Sequence, residues 1–298
     1  MTVTVSEELF APVGPEIELC YQTYGDPDGE PLLLVMGLGG PMTWWDPELC
    51  AMLVERGFHV IRFDNRDVGR SSRALGKVTR ATLVRAFAGR KVRAPYSLVD
   101  MADDAFGLLD HLGIESAHLV GVSMGGMIVQ TMAIERPERL RSLTSIMSTT
   151  GKRTVGWQHP SLLPNLIGRT GGREAYISSS VAIWRRIGSP GYPSTEEATR
   201  KRAGETYDRG ISAAGALRQM VAIVTQPNRS TRLRALKVPT LVVHGLADKM
   251  VHVSGGRATA AAIPGAELLL IDGMGHDLPP ALFETFADAI RRVASRQR

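Results

Sequence analysis

The sequence is poor in cysteine, and it contains no long apolar run. Only two cysteines, Cys20 and Cys50, occur among 298 residues, far apart from each other. This excludes a disulfide scaffold and a cysteine-rich metal site, and it predicts two buried free thiols. No stretch is long and apolar enough to span a membrane, and residues 1–8 lack the basic start and apolar segment of a secretory signal. We therefore expect a cytoplasmic protein without a membrane span.

The composition is that of a globular protein with a large apolar core. Hydrophobic residues make up 44% of the chain and charged residues 22%, with a net charge of +5. Short apolar runs alternate with helical patterns, which predicts an α/β fold with a mostly parallel central sheet flanked by helices. The predicted strands lie at 17–24, 32–36, 59–63, 140–147 and 267–271, and the predicted helices include 47–55 and 98–112.

A long segment without strand character follows residue 147. From about 151 to 230 the sequence is compatible with helices, and strand periodicity returns only at Val238. Prolines interrupt the helical pattern, among them Pro160, Pro164, Pro190 and Pro193. We therefore predict a helical cap inserted after the sixth strand. The predicted boundaries are a first core segment at 1–149, the cap at 150–231 and a second core segment at 232–298.

One serine lies where an apolar run meets a helical pattern. The sequence from Gly121 to Gly126 is Gly-Val-Ser-Met-Gly-Gly. A strand, a tight turn and a helix therefore meet at Ser123, which is the arrangement of a nucleophile elbow. The glycines two residues before and after the serine relieve crowding in such a turn. The amide of Met124 would begin the helix beside any oxyanion formed at Ser123.

A serine hydroxyl is a poor nucleophile unless a general base and a group that orients the base are present. Both occur later in the chain, each after a predicted strand: Asp248 follows the run 238–245, and His276 follows 267–271. The order serine, acid, histidine accompanies a nucleophile elbow on a parallel sheet. Asp277 is an alternative acid, but neighbouring side chains diverge in a loop. The sequence therefore favours Asp248 as the partner of His276.

Other polar residues near these motifs have structural interpretations. His244 and His252 flank the predicted acid, and we expect them to form hydrogen bonds rather than to act as second bases. Asp64, Arg66 and Asp67 follow a predicted strand. We expect them to form a buried polar network that holds their loop, with a substrate-facing ion cluster as the alternative.

Three motifs resemble those of the α/β-hydrolase superfamily. They are Leu33 to Gly40, which resembles its oxyanion loop, Asp64 to Ser71, which resembles its post-strand signature, and Gly121 to Gly126, which resembles its elbow. The resemblance covers nearly the full chain, and it is strongest to capped esterases and lipases similar to aclacinomycin methylesterase. It implies an α/β-hydrolase fold in which the backbone amides of Leu38 and Met124 bind the oxyanion. The loop carries Met-Gly where the family more often has His-Gly, a change that removes no backbone N–H.

The motifs and the resemblance together predict a carboxylic ester hydrolase that forms an acyl-enzyme. Ser123 would attack the carbonyl, His276 would transfer protons, and Asp248 would orient the imidazolium, with no cofactor and no metal. Related chemistry stays open: hydrolysis of a carbon–carbon bond, aminopeptidase cleavage or perhydrolysis. A receptor of this fold that binds a ligand with negligible turnover is a further alternative. Haloalkane dehalogenases and epoxide hydrolases are disfavoured, because those relatives carry Asp where this chain has Ser123.

The predicted cap is the most basic part of the chain. Residues 151–235 contain 14 Lys and Arg but 5 Asp and Glu, a net charge of +9. These charges either steer an anionic substrate or cover a solvated surface; we expect the latter, with a bulky, mostly apolar ester as substrate. The basic residues are dispersed, so we expect no nucleic-acid partner, and the sequence gives no indication of oligomeric state. Five aromatic residues here either line a pocket or pack the cap: Trp157, Tyr176, Trp184, Tyr192 and Tyr207.

Overall fold

The computed structural model describes residues 3–162 and 171–296, so Pro164 and Arg169 lie outside the described residues. Within the described ranges, eight strands form one sheet. The strands are Leu9–Gly14 (β1), Ile17–Tyr24 (β2), Glu30–Val35 (β3), Phe58–Phe63 (β4), Ala117–Val122 (β5), Leu140–Ile146 (β6), Thr240–Gly245 (β7) and Glu267–Ile271 (β8). Their order in the sheet is β1-β2-β4-β3-β5-β6-β7-β8.

The sheet is parallel except at one edge. β2 runs antiparallel to both β1 and β4, and the strands from β4 to β8 pair parallel with their neighbours. Every residue of β5 is buried, which suits a strand that is covered on both faces. Because the carboxyl ends of parallel strands meet at one edge, the loops after β3, β5, β7 and β8 collect there.

Helices cover both faces of this sheet. The helices are Pro47–Glu55 (α1), Arg80–Phe87 (α2), Leu98–His111 (α3), Met124–Glu135 (α4), Arg173–Ile187 (α5), Glu196–Gly210 (α6), Ala213–Thr225 (α7), Ser230–Leu233 (α8), Ser254–Ala262 (α9) and Phe283–Ala294 (α10). Apolar residues of α1 and α10 pack into one core cluster, and those of α3, α4 and α9 pack into another. Over the described part of the chain, no helix combines the length and the apolar character that crossing a membrane requires.

Local capping explains where two core helices begin. The Asp46 side chain accepts a hydrogen bond from the Glu48 N–H, and Pro47 occupies the first turn of α1. Ser97 and Asp100 form a reciprocal capping box at the start of α3. The sequence predicts both helices within one residue of their observed ends.

The helices α5 to α8 lie between β6 and β7 in the chain, where the sequence predicts an inserted cap. We call the segment from residue 150 to residue 231 the cap. Its exact boundaries stay a prediction, since α8 spans the second of them. No strand interrupts the described residues of this segment, which agrees with its lack of period-two patterning.

Acid should destabilise the fold through His118, which is fully buried in β5. Burial lowers its pKa to about 4, although Glu30 lies 3.0 Å away. The unfolded chain takes up this proton near pH ~6.5, whereas the folded protein resists it until about pH 4, so stability falls between these values as pH decreases. The limiting slope for one such group is about 1.4 kcal/mol per pH unit.

We expect His118→Gln to flatten this slope. The free energy of urea unfolding, measured at several pH values between about 4 and 7, tests the difference from wild type. His59 also has a pKa lowered by burial, so part of the acid sensitivity should remain. Parallel curves for the two proteins would contradict the assignment to His118.

Candidate active site

Ser123 lies at a sharp turn between β5 and α4. Its backbone has φ 55° and ψ −117°, a positive-φ conformation that residues with a side chain rarely adopt. A Cβ atom at Gly121 would lie 2.2 Å from the Gly125 carbonyl oxygen, and one at Gly125 would lie 2.0 Å from the Val35 carbonyl oxygen. The turn therefore requires glycine two residues before and after the serine.

Ser123, His276 and Asp248 form one hydrogen-bonded chain. The Nε2 atom of His276 lies 3.0 Å from Ser123 Oγ, and its Nδ1 atom lies 2.8 Å from Asp248 Oδ2. Asp248 is on the loop after β7 and His276 is on the loop after β8, at the sheet edge where β5 ends. The structure thus brings together the three side chains that the sequence analysis selected. Their catalytic roles stay a prediction.

The Asp248 carboxylate is buried and accepts several hydrogen bonds. Its Oδ1 atom accepts from the backbone N–H groups of Met250 and Val251 at 2.8 and 2.9 Å, and its Oδ2 atom lies 3.5 Å from His244 Nε2. Burial alone would raise the pKa of Asp248, but the charge on His276 and hydrogen bonds from both histidines outweigh it and hold the pKa well below its usual range. This carboxylate stays ionised and can stabilise an imidazolium.

The loop after β3 packs against the serine. A Cβ atom at Gly37 would lie 3.2 Å from Ser123 Cβ, so the backbone passes directly beside that side chain. Leu38 follows this glycine and lines the same cavity as Ser123. Met124 begins α4, and the first N–H groups of a helix have no acceptor inside the helix. The two residues predicted to supply oxyanion donors therefore lie on the two segments beside the serine, Leu38 on the loop after β3 and Met124 at the start of α4, and this role stays a prediction.

Two buried side chains hold the β3 loop in place. Asn65 Nδ2 donates a hydrogen bond to the Met36 carbonyl oxygen at 2.9 Å. From α7, Gln219 Oε1 accepts from the Gly39 N–H at 2.8 Å, and Gln219 Nε2 donates to the Arg66 carbonyl oxygen at 2.9 Å. Gln219 therefore joins the cap to the loop that carries Leu38. The sequence analysis did not single it out.

We expect Gln219→Leu to lower kcat about tenfold while KM changes less than about threefold. The substitution keeps most of the side-chain volume and removes both hydrogen bonds of Gln219. The loop after β3 is then held less firmly, and the Leu38 N–H is no longer fixed in its orientation. Steady-state kinetics on one ester measure the split, with thermal unfolding as the folding check. A raised KM at unchanged kcat would instead assign Gln219 to the substrate pocket alone.

A cavity of about 1550 Å³ opens onto the serine and the histidine, and residues of the core loops and of α5, α6 and α7 line it. Three of the five aromatic residues singled out from the sequence, Trp157, Tyr176 and Trp184, are on its wall. Tyr192 packs against a core cluster, and the ring of Tyr207 lies 5.7 Å from that of Tyr176. The volume exceeds the range of about 300–1,000 Å³ that is common for small-molecule sites.

The alternative acid and one alternative base have other partners. Asp277 Oδ1 accepts a hydrogen bond from Ser189 Oγ, and burial raises the pKa of Asp277. His252 stacks on Trp157 with ring centroids 4.2 Å apart. Neither side chain takes part in the hydrogen-bonded chain at His276. His252 Nδ1 lies 2.9 Å from Ser254 Oγ, in agreement with the hydrogen-bonding role expected for it.

The polar loop after β4 pairs with the cap. Arg209 of α6 donates to Asp64 at 2.7 Å, and Arg218 of α7 donates to Asp67 at 2.8 Å, while Arg66 pairs with an aspartate of α3. Asp64 and Asp67 are fully buried at their side chains. The loop does form a buried polar network, as expected, but the sequence did not indicate that cap arginines complete it.

The two cysteines are buried and free. Burial raises the pKa of both Cys20 and Cys50 to about 12, so both are thiols at neutral pH. Among residues 3–162 and 171–296, no three His, Cys, Asp or Glu side chains are grouped in a way that would hold a metal ion.

Comparison with known proteins identifies the family. A family model described as the alpha/beta hydrolase fold matches residues 30–279. The chain belongs to this family. The α/β hydrolase is 30% identical to rhodomycin D methylesterase DauP of Streptomyces sp. (strain C5), over 92% of this chain and 94% of that one.

Two further similarities have lower identity. A relative from Variovorax paradoxus (strain S110), named provisionally as the carbamate hydrolase RutD, is 27% identical over 87% of this chain and 89% of its own. The crystal structure of the enol-lactonase from Burkholderia xenovorans LB400 superposes with a TM-score of 0.73 at 22% identity, covering 94% of this chain and 97% of that one. At this identity the superposition supports the fold alone.

These similarities confirm the fold class predicted from the sequence and the resemblance to methylesterases. The prediction that the chain is a hydrolytic enzyme is confirmed as well, because it belongs to this family and its relatives over most of its length are named methylesterase and carbamate hydrolase. The substrate and the role of each side chain belong to the proposal below.

Proposed function

We propose that this α/β hydrolase cleaves carboxylic esters through an acyl-enzyme. The observation that carries the proposal is the hydrogen-bonded chain from Ser123 through His276 to Asp248, of which Ser123 and His276 line a large cavity. The methylesterase relative supports an ester as the bond that is cleaved. No step of the reaction requires a cofactor.

Acylation begins at the serine. Ser123 Oγ attacks the ester carbonyl carbon while His276 Nε2 takes its proton, and Asp248 stabilises the imidazolium that forms. The backbone N–H groups of Leu38 and Met124 bind the negative oxygen of the tetrahedral intermediate. The C–O bond to the alcohol then breaks, and His276 returns the proton to the leaving alcohol.

Deacylation repeats these steps with water. His276 Nε2 removes a proton from a water molecule that attacks the acyl carbonyl, the bond to Ser123 Oγ breaks, and the proton returns to the serine. The products are a carboxylic acid and an alcohol. The cavity of about 1550 Å³ is lined in part by tryptophan and tyrosine side chains, and this favours a bulky, mostly apolar ester as substrate.

A panel of esters varied separately in acyl length, alcohol bulk and charge tests this proposal, together with labelling by a fluorophosphonate. We expect turnover of several bulky esters and stoichiometric labelling at Ser123, located by peptide mass. Tight ligand binding with negligible turnover would favour the receptor alternative. Faster turnover of a carbamate, an amide or a carbon–carbon substrate than of any ester would replace the ester assignment.

A further inference from the structure

Six of the eleven basic side chains that the structure describes in the cap are paired with carboxylates. The pairs are Arg173 with Asp208, Arg185 with Glu196, Arg200 with Glu174, Lys201 with Glu205, Arg209 with Asp64 and Glu8, Arg218 with Asp67, and Arg232 just beyond the cap with Glu135. Their charges are therefore largely compensated, and the excess of +9 over 151–235 overstates the charge that a substrate meets. Long-range steering by the cap as a whole is correspondingly weak.

Arg202 on α6 differs from these residues. Among the described residues, no carboxylate forms an ion pair or a hydrogen bond with its guanidinium, and Asp277 and Asp46 act on it only at longer range. Two indole rings take the place of an acidic partner. The guanidinium carbon lies 4.4 Å from the ring centroid of Trp184 and 5.7 Å from that of Trp44.

The aromatic contacts leave the N–H groups of Arg202 without a hydrogen-bond acceptor among residues 3–162 and 171–296. A guanidinium stacked on an aromatic face keeps its N–H groups at the edge of its plane, where they suit the two oxygens of a carboxylate. Trp44 is itself fixed, because its Nε1 atom donates a hydrogen bond to Thr206 Oγ1 at 2.9 Å, one turn further along α6. Arg202 and both tryptophans therefore form one unit of contacting side chains between core and cap.

This unit faces the reaction site. Arg202, Trp44 and Trp184 line the same cavity as Ser123 and His276. Burial lowers the pKa of the Arg202 guanidinium, which nevertheless remains charged at neutral pH. A charge that is partly removed from water and lacks a counter-ion in the protein gains most from an anion that arrives with the substrate.

We propose that Arg202 binds a carboxylate carried by the substrate at a distance from the scissile ester. This inference rests on the proposed function, and it narrows the substrate class to esters that are apolar in the middle and anionic at one end. The tryptophans contact the apolar part beside the carboxylate. Two other arginines on the cavity wall, Arg153 and Arg186, donate to backbone carbonyl oxygens. The remaining cationic residues there are exposed to solvent: Arg90, Lys91 and Lys152.

The test uses pairs of substrates that differ in one charge. Monomethyl esters of linear dicarboxylic acids of increasing length are compared with the same esters in which the free carboxylate is replaced by a carboxamide. We expect wild type to prefer the carboxylate member by about 10- to 100-fold in kcat/KM at the best length, the range of one charge-assisted hydrogen-bonded pair. Arg202→Gln should abolish this preference, and Arg202→Lys should retain part of it.

Arg185→Gln is the matched control. It removes the same charge from the cap, but Arg185 is exposed and paired with Glu196. We expect the carboxylate preference of this variant to equal that of wild type. If both Gln variants lowered the preference equally, the effect would be long-range charge, and the inference would be overturned.

A packing role for Arg202 predicts a different pattern. If Arg202 only stacks between tryptophans, then Arg202→Gln lowers kcat/KM equally for the carboxylate and the carboxamide, and that result also overturns the inference. Calorimetry of Ser123→Ala with the two substrates of the best pair separates this inference from the proposed function. If Ser123→Ala binds the carboxylate member more tightly, and adding Arg202→Gln to that variant removes the difference, the carboxylate site is supported even if wild type cleaves none of the esters.

Discussion

Replacing Ser123 by alanine should abolish ester turnover, with kcat falling about 10⁴- to 10⁶-fold, because the variant lacks the atom that forms the acyl-enzyme. The fold should persist, since alanine adds no bulk at a turn with φ 55°. One hydrogen bond to His276 is lost, so we expect the free energy of unfolding to change by about 1 kcal/mol or less. Steady-state kinetics, intact mass after substrate addition and urea unfolding measure the three quantities.

Ser179→Ala is the control for this variant. Ser179 lines the same cavity but lies on α5, and the hydroxyl bonded to His276 Nε2 is that of Ser123. We expect Ser179→Ala to keep both turnover and fluorophosphonate labelling. An acyl adduct of Ser123→Ala, detected by mass, would remove Ser123 from the mechanism.

The elbow could be predicted from the sequence because its requirements are local. The turn at Ser123 admits no side chain at residues 121 and 125, and this steric demand is visible as glycine in the sequence. The order of Asp248 and His276 along the chain then follows from the order of strands whose ends meet at one edge. The helix after the serine begins at Met124, as the sequence analysis expects, although Gly125 and Gly126 in its first turn have low helix propensity.

The contacts that complete the site depend on distant residues. Arg209 and Asp64 are 145 positions apart, and Gln219 and Gly39 are 180 apart. A lone glutamine or arginine on a helix carries no pattern that marks its partner, since helices contain many such residues. For the same reason the charge count of the cap did not distinguish Arg202, which lacks a carboxylate partner among the described residues, from the arginines paired with one.

Replacing Asp248 by asparagine should lower kcat about 10⁴-fold, the loss typical when the acid of a triad is converted to its amide. The amide cannot stabilise the imidazolium, and its NH₂ group favours the wrong tautomer of His276. Stability should respond to pH as well. The pKa of Asp248 is lowered in the folded state, so its carboxylate stabilises the fold above about pH 4, the unfolded value, and this contribution is lost as pH falls further.

The free energy of unfolding of wild type and of Asp248→Asn should therefore differ most near neutral pH and converge as the solution becomes more acidic than about pH 4. Asp277→Asn is the matched control, because it changes the carboxyl group next to His276 in sequence, which is bound to Ser189 instead. The pKa of Asp277 is raised by burial, so a neutral amide suits its site, and we expect a loss in kcat of less than about tenfold. The Asp248 carboxylate is the one that lies 2.8 Å from His276 Nδ1 in the described structure. Equal losses in kcat for the two variants would therefore contradict the role assigned to Asp248.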